Sequence, residues 1–237
     1  MSSLYTRLKI TLGKADADSQ ALAALTTDDQ VQVRAGNPLS FLPSGDVRAA
    51  TGVIFYPGGR CDPRAYAPVA RTLAAAGYPC FVPHMPFRLA VLAADRASQI
   101  IAAHPHIERW FIGGHSMGGA IAGAYVYKNP RAAAGLFFVG AYPSGLYPLT
   151  ERQLPVTLVH GTRDFVLRAE ELAEAGNRLP PETHFVAIEG GDHYQFGCFA
   201  NADVTATISR ETQQRQMCDA LLTNLGEIAG TPGDATN

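Results

Sequence analysis

A serine flanked by glycines has the surroundings in this sequence that best fit covalent chemistry. Residues 113–119 (GGHSMGG) contain the pattern G-x-S-x-G at Gly114, Ser116 and Gly118, directly after an apolar run. A strand that turns abruptly into a helix requires these glycines, because side chains two positions either side of the serine would collide. Such a turn raises the hydroxyl above the sheet and sets the next helix's amino end beneath a developing oxyanion. We therefore predict that Ser116 is a nucleophile.

A glycine-rich turn after a strand has two other interpretations. The pattern G-x-S-x-G also occurs by chance, and a turn of this kind can cradle a phosphate. A phosphate-binding loop would need Gly-Lys followed by Ser or Thr, and the dinucleotide fingerprint would need glycine in place of His115. Both patterns fail, and the predicted strand before and helix after the turn favour the nucleophile.

A serine nucleophile needs a general base and an acid that orients the base, in the chain order Ser, Asp or Glu, His. Asp164 follows the predicted strand 156–160, and His193 follows the predicted strand 184–188. Both positions lie past the carboxyl end of a strand, where open α/β sheets place their sites. We predict that His193 is the base and Asp164 the acid. Asp192 competes for the acid's role, but neighbours in a loop rarely aim a carboxylate at the adjacent ring.

Backbone amides are the predicted oxyanion hole. One is the N–H of Met117, and the other comes from the turn 56–60 (YPGGR), with Gly59 as the first choice of donor and Arg60 as the second. The simpler interpretation is a tight turn that feeds a helix capped by Asp62, and both interpretations can hold together.

The elements that must position these residues alternate along the chain from about residue 50 onward. Short apolar runs predict strands at 51–56, 78–83, 109–112, 135–139, 156–160 and 184–188. Helical patterns separate them at 62–77, 88–103, 117–129, 168–179 and 211–228, the last with one apolar face of Met217, Leu221, Leu225 and Ile228. This alternation predicts a mostly parallel sheet covered by helices on both faces.

The two ends of the chain are less regular. Short strands at an antiparallel edge are predicted at 30–34 and 39–43, and the first twenty residues are expected to form a strand or a tail. The polar, turn-rich segment 230–237 (GTPGDATN) is expected to be a disordered tail. With no linker or repeat between these ends, we predict a single domain over residues 1–237.

Composition excludes several classes of protein. The 237 residues carry 19 Lys and Arg against 21 Asp and Glu, a net charge of −2, with 47% apolar and 17% charged residues. This balance favours one sizeable globular core, and it provides no basic footprint for nucleic acid and no attraction to anionic membranes. Since residues 1–12 lack the pattern of a secretory signal, we expect a cytoplasmic protein.

The four cysteines do not form a recognisable motif. Cys61, Cys80, Cys198 and Cys218 are scattered, with no CxxC and no zinc-ligand spacing, so we predict neither a metal site nor a redox motif. Free thiols are the expected state, and Cys198 with Cys218 is the first pairing to consider for an exported protein.

Three segments together resemble the α/β-hydrolase superfamily: 113–119 (GGHSMGG), 160–164 (HGTRD) and 190–193 (GGDH). The similarity spans roughly residues 50–228 and looks most like the small bacterial single-domain members, the dienelactone-hydrolase-like and related esterases. A dienelactone hydrolase proper carries cysteine where this chain has Ser116, so that substrate is not carried over.

The resemblance implies an α/β-hydrolase fold and a serine hydrolase that cleaves a small ester through Ser116, His193 and Asp164, without a metal or organic cofactor. Thioesterase, amidase or peptidase activity on the same triad remains an alternative, as does a non-catalytic ligand-binding protein with this fold. The sequence makes no prediction of oligomeric state.

Lid domains in this superfamily are commonly inserted between the predicted strands 135–139 and 156–160. Here the connection has 16 residues, 140–155, and its segment 142–148 contains two prolines and one glycine, which excludes a helical cap of several turns. We therefore expect an open site that takes short or compact acyl groups. The candidate apolar walls of the substrate site are Tyr142, Leu146 and Tyr147. An acidic group of the substrate could be bound by Arg60, with Arg88 and Arg163 as further candidate cations. The simpler interpretation of these three residues is that they are solvated surface arginines.

Overall fold

Eight strands form one sheet in the computed structural model, within the residues that it describes, 14–45, 50–167, 169–202 and 204–230. They are β1 (Val31–Arg34), β2 (Leu39–Pro43), β3 (Thr51–Tyr56), β4 (Cys80–Val82), β5 (Arg109–His115), β6 (Gly135–Val139), β7 (Val156–Gly161) and β8 (His184–Ile188). Of the expected tail 230–237, Gly230 is instead the last residue of the final helix, and residues 231–237 lie outside the described residues.

The sheet is mostly parallel, as predicted. Its order is β1-β2-β4-β3-β5-β6-β7-β8. The strands β1 and β2 pair with each other, and β2 pairs with β4, in antiparallel register. Every remaining neighbouring pair is parallel. The carboxyl ends of β3 and β5 to β8 therefore meet at one edge of the sheet, which we call the carboxyl edge.

Helices cover both faces of this sheet. The structure describes α1 (Ser19–Ala23), α2 (Ala67–Ala75, after a 3₁₀ turn at Pro63–Tyr66), α3 (Arg96–Ala103), α4 (Met117–Lys128), α5 (Ala169–Gly176) and α6 (Arg210–Gly230). The short helix α1 has no counterpart among the predicted elements, and the predicted start of α5 at residue 168 lies outside the described residues.

The predicted helix 88–103 is wrong in its first half. The chain there forms two separate 3₁₀ turns, Pro86–Arg88 and Ala90–Ala93, and only Arg96–Ala103 is α-helical. Phe87 and Arg88 have φ values of +51° and +59°, which a right-handed helix does not allow. The carbonyl of Arg88 accepts the N–H of Arg60 at 2.7 Å, so this tertiary contact accompanies the broken helix.

The core lies on both sides of the sheet. All six residues of β3 are buried, as expected for a strand with helices on both faces. Val53 packs in a core with α2 and α6, and Ile54 packs on the opposite side in a core with α3 and α4. Burying an aliphatic side chain of this size contributes about 1.5–3 kcal/mol. The predicted apolar face of α6 is buried, with Met217, Leu221, Leu225 and Ile228 each 2% exposed or less.

An extended segment, residues 14–18, crosses the carboxyl edge and is called the strap below. The strap pairs with Cys61 through Ala15 and with Phe199 through Ala17. The N–H of Ala15 donates to the carbonyl of Arg60, and that of Asp18 donates to the carbonyl of Cys198. The strap thereby connects the turn after β3 to the loop after β8.

All four cysteines are buried free thiols, so the pairing considered for an exported protein is absent. Cys198 lies 3.8 Å from an oxygen of Gln214, while burial and the neighbouring Asp219 raise the pKa of Cys218 to about 12. No helix in the described part of the chain is long and apolar enough to cross a bilayer. The same residues contain no group of three or more potential metal ligands.

Candidate active site

Ser116 stands at the sharp turn between β5 and α4. Its φ of +53° and ψ of −126° are unusual for a residue with a side chain, and such conformations cost about 1–3 kcal/mol. A Cβ atom at Gly114 would lie 2.3 Å from the carbonyl oxygen of Tyr56, and one at Gly118 would lie 2.3 Å from that of Pro57. These close approaches explain both glycines of the pattern.

The strand that leads to Ser116 is longer than predicted. β5 continues through Gly113 and Gly114, which pair in parallel register with Phe137 and Phe138 of β6. The sequence pattern assigned these glycines to the turn, because glycine is depleted in strands.

The structure brings Asp164 and His193 together from the loops after β7 and β8. Oδ2 of Asp164 lies 2.7 Å from Nδ1 of His193, and both side chains are buried. Oδ1 of Asp164 accepts the N–H groups of Val166 and Leu167, each at 2.8 Å. With both carboxylate oxygens bonded, Asp164 is held in a geometry that orients the imidazole.

Gly140 connects this pair with the serine. A Cβ atom at Gly140 would lie 3.1 Å from Nδ1 of His193 and 3.4 Å from Oδ2 of Asp164. Gly140 also lines the same cavity as Ser116. Gly140 is therefore a shared neighbour of Ser116 and of the Asp164–His193 pair at the carboxyl edge of the sheet.

Asp192, the competing acid, has a different environment. It is fully buried, and its carboxylate accepts four backbone N–H groups, from Tyr194, Gln195, Thr205 and Ala206, at 2.6–3.1 Å. These bonds fold the loop after β8. The ring of His193 is bonded to Asp164, as chain order predicted.

The predicted oxyanion turn has one amide that differs from its neighbours. The N–H of Gly58 donates to the hydroxyl of Tyr66 at 3.0 Å, and the N–H of Arg60 donates to the carbonyl of Arg88 at 2.7 Å. The N–H of Gly59, between them, has no acceptor among the described residues. A Cβ atom at Gly59 would lie 3.1 Å from the side chain of Met117, so the two residues predicted to form the oxyanion hole are neighbours in the structure.

A buried chain of hydrogen bonds joins this turn to the loop that carries His193. Nε2 of His115 lies 3.1 Å from the carbonyl oxygen of His193, which can only accept, so Nε2 carries the proton. Nδ1 of His115 then accepts from the Tyr66 hydroxyl at 2.8 Å, and the Tyr66 oxygen accepts from the N–H of Gly58. We call Gly58, Tyr66, His115 and the His193 carbonyl the relay.

Burial lowers the pKa of His115 well below its ordinary value, and the imidazole of His193 lowers it further. His115 is therefore neutral at neutral pH, although the ring centroids of the two histidines are only 4.6 Å apart. The sequence gave no signal for Tyr66, which occupies an apolar position of the helical pattern.

A cavity of about 420 Å³ opens beside Ser116. Of the proposed substrate-binding side chains, Tyr142 lines it, and Arg60, Leu146 and Tyr147 are not among its walls. Leu146 is 78% exposed, and the ring of Tyr147 packs against Tyr127 at 5.5 Å. A turn in which the N–H of Tyr147 bonds the carbonyl of Ser144 accompanies this placement. Sequence reasoning missed the remaining walls, which include Ser144, Gly145, Val166, Leu167 and Arg178.

Residues 52–215 match the model of the alpha/beta hydrolase family. No curated protein matches the chain. Among solved structures, a predicted CIB-like hydrolase from Thermoplasma acidophilum has a TM-score of 0.62 at 15% identity, covering 81% of this chain and 99% of its own.

A dienelactone hydrolase from Anabaena variabilis has a TM-score of 0.61 at 17% identity, covering 82% of this chain and 98% of its own. Est1E from Butyrivibrio proteoclasticus has a TM-score of 0.58 at 13% identity, covering 83% and 99%. Similarity at these identities shows the shared fold alone.

Proposed function

Because the chain belongs to the alpha/beta hydrolase family, we propose that it is a serine hydrolase that cleaves small carboxylic esters with Ser116, His193 and Asp164. The observation that carries the proposal is the meeting of the strained Ser116 and the Asp164–His193 pair at Gly140. Family membership supports hydrolysis in general, and the Asp164–His193 hydrogen bond together with the strained conformation of Ser116 supports the acyl transfer.

The reaction follows from the positions of these groups. His193 takes the proton of the Ser116 hydroxyl as the serine oxygen attacks the ester carbonyl carbon, and Asp164 stabilises the resulting imidazolium. The N–H groups of Met117 and Gly59 hold the oxyanion. The carbon–oxygen bond to the alcohol then breaks, and His193 returns its proton to the departing alcohol.

Water repeats these steps on the acyl-enzyme. His193 takes a proton from the water as its oxygen attacks the acyl carbon, and the bond to Ser116 breaks. The carboxylic acid is released and the serine recovers its proton. The whole cycle requires no cofactor.

The cavity supports a small substrate. Its volume of about 420 Å³ is near the lower end of the roughly 300–1,000 Å³ that small-molecule pockets occupy. Residues 140–155, which follow β6, contain no helix, so no helical cap covers the site from this connection.

Labelling with a fluorophosphonate probe tests the proposal, because such a probe reacts with an activated serine. We expect the wild-type protein to be labelled and to hydrolyse p-nitrophenyl acetate. Ser116→Ala abolishes both, and His193→Ala lowers turnover by about 10⁴-fold or more, while circular dichroism stays native.

Ser144→Ala is the matched control, since Ser144 lines the same cavity. This variant should still be labelled. Labelling of Ser116→Ala, or no labelling of the wild type, would contradict the proposal and favour a ligand-binding protein. Thioester and amide substrates in the same assay decide between the related hydrolases.

A further inference from the structure

The cavity beside Ser116 has one charged side chain among its described walls, that of Arg178. The other walls are apolar or carry hydroxyls, with Met117 and Leu167 among the former and Tyr142 among the latter. The carboxylate of the site, on Asp164, is only 1% exposed and is not a wall of the cavity. Among the described walls, a substrate in this cavity therefore meets one positive charge.

Hydrogen bonds fix both the backbone N–H and the backbone carbonyl of Arg178. Its N–H donates to the carbonyl of Ala175 at 2.9 Å, and its carbonyl accepts the N–H of Leu149 at 2.7 Å. The guanidinium lies over Gly145, where a Cβ atom would be 3.7 Å from Cζ of Arg178. Both the anchored backbone and the missing side chain at Gly145 give the guanidinium a defined place at the cavity wall.

The guanidinium has weak partners in the protein. One nitrogen lies 3.5 Å from the carbonyl of Pro143, and another lies 3.6 Å from the carboxylate of Glu174. The Glu174 side chain is 72% exposed, and exposed ion pairs contribute little. Since a guanidinium has five N–H donors, these two long contacts leave donors for a ligand.

The arginines that the sequence suggested for an acidic group do not serve this cavity. Arg88 bonds Asp16 at 2.7 Å, and Arg163 bonds the carbonyl of Thr205 at 2.8 Å. Arg60 is not a wall of the cavity either.

We propose that Arg178 binds a carboxylate of the substrate, so that the enzyme prefers esters whose acyl or alcohol part carries a negative charge. This inference rests on the proposed ester hydrolysis. The planar guanidinium matches a carboxylate with two parallel hydrogen bonds, which a neutral ester cannot replace. Apolar walls around the pair reduce screening by water.

Paired substrates test this selectivity. Monomethyl succinate against dimethyl succinate places the charge on the acyl side, and acetoxyacetate against its methyl ester places it on the alcohol side. Hydrolysis is followed by pH-stat at pH 7.5, where the free carboxyls are ionised. We expect Arg178→Gln to lower kcat/KM for the anion of at least one pair about 10-fold or more beyond its effect on the neutral ester.

Arg178→Lys keeps the charge but loses the planar fork, so its selectivity should lie between those of wild type and Arg178→Gln. Arg152→Gln is the matched control, because Arg152 bonds the carbonyl of Pro130 and is not a wall of this cavity. Its anion-to-neutral ratios should equal those of the wild type. Ratios that Arg178→Gln leaves unchanged in both pairs would overturn the anion site while leaving the hydrolase proposal intact.

Binding of glutarate, measured by titration calorimetry, provides a readout that needs no catalysis. We expect Arg178→Gln to weaken binding about 10-fold or more relative to wild type and Arg152→Gln. If no ester is hydrolysed, the hydrolase proposal is wrong and this titration alone decides the anion site. Absent binding, or equal affinity in wild type and Arg178→Gln, overturns it.

Discussion

Two aspartates near His193 differ in what surrounds them, and this difference predicts different effects of the same substitution. Asp164→Asn removes the charge that stabilises the imidazolium of His193, so we expect kcat for p-nitrophenyl acetate to fall by about 10³–10⁴-fold with little loss of stability. Asp192→Asn places an amide NH₂ among four backbone N–H donors, so we expect about 1–3 kcal/mol of lost stability and a smaller loss of turnover. Kinetics and urea unfolding of both variants test this, and the reverse order would make Asp192 the acid.

The lowered pKa of His115 predicts how the stability of the protein depends on pH. Its pKa is ordinary, about 6.5, in the unfolded chain and much lower in the folded protein, where burial keeps it neutral. Below pH 6.5 the unfolded state therefore binds more protons at this residue, and the free energy of unfolding falls as pH falls. We expect His115 to contribute up to about 1.4 kcal/mol per pH unit to this slope.

His115→Gln tests this contribution, because an amide offers an NH₂ donor and a carbonyl acceptor to the relay but does not titrate. Urea unfolding at pH 7.5, 6.5 and 5.5 should show a shallower slope for His115→Gln than for wild type. His106→Gln, at an exposed histidine, is the control and should keep the wild-type slope. Identical slopes for all three proteins would mean that His115 does not have a lowered pKa.

At the scale of the elements, β5 and α4 approach the end of β3 so closely that glycine is required at positions 114 and 118. We expect Gly114→Ala to cost about 3 kcal/mol or more and to abolish activity, because its Cβ would meet the Tyr56 carbonyl at 2.3 Å. At Gly226 in α6 an added Cβ would have no atom from another described part of the protein within 4 Å, so Gly226→Ala should stabilise the protein by about 0.5–1 kcal/mol. Thermal unfolding of both variants and the wild type measures these changes in stability. A Gly114→Ala variant as stable as the wild type would contradict the close approach of Gly114 to the Tyr56 carbonyl.

The elements that the sequence predicted well are those determined by local patterns. Apolar runs such as 51–56 predicted the strands, and the glycines around Ser116 predicted the turn. The broken helix at Phe87 and Arg88 was missed, since its conformation goes with a contact to Arg60 that is distant in sequence.

The prediction of candidate site residues has the same limit: residues that follow a local pattern are found, and residues placed by long-range packing are missed. The order Ser, Asp, His predicted Asp164 and His193, whose side chains are hydrogen-bonded because each residue follows a strand of the parallel part of the sheet. Tyr66 and Arg178 were not identified, because a buried tyrosine on a helix and an arginine after a helix have no pattern of their own. Only the packing of the 3₁₀ turn before α2 and of the segment after α5 gives these side chains their places.

For the whole molecule, the open carboxyl edge predicts which acyl chains are accepted. The cavity of about 420 Å³ and the helix-free connection 140–155 leave no enclosed channel for a long chain in the described residues. We expect kcat/KM to be highest for acetate to butyrate p-nitrophenyl esters and to fall for longer chains, without activation above the substrate's solubility limit. Rates that rise steadily up to palmitate, or a jump at that limit, would require a lid or channel.

The strap also sets when during synthesis the site can be completed. The strap is made well before its partners Cys198 and Phe199, and Asp18 bonds Arg210 across a separation of 192 residues. At translation rates of about 5–20 residues per second, the first residues of this contact wait roughly 10–40 s for the last. The turn after β3 and the loop after β8 therefore become connected through the strap only after residues 198 and 199 have been made, and a nascent chain that stops before residue 198 has no such connection.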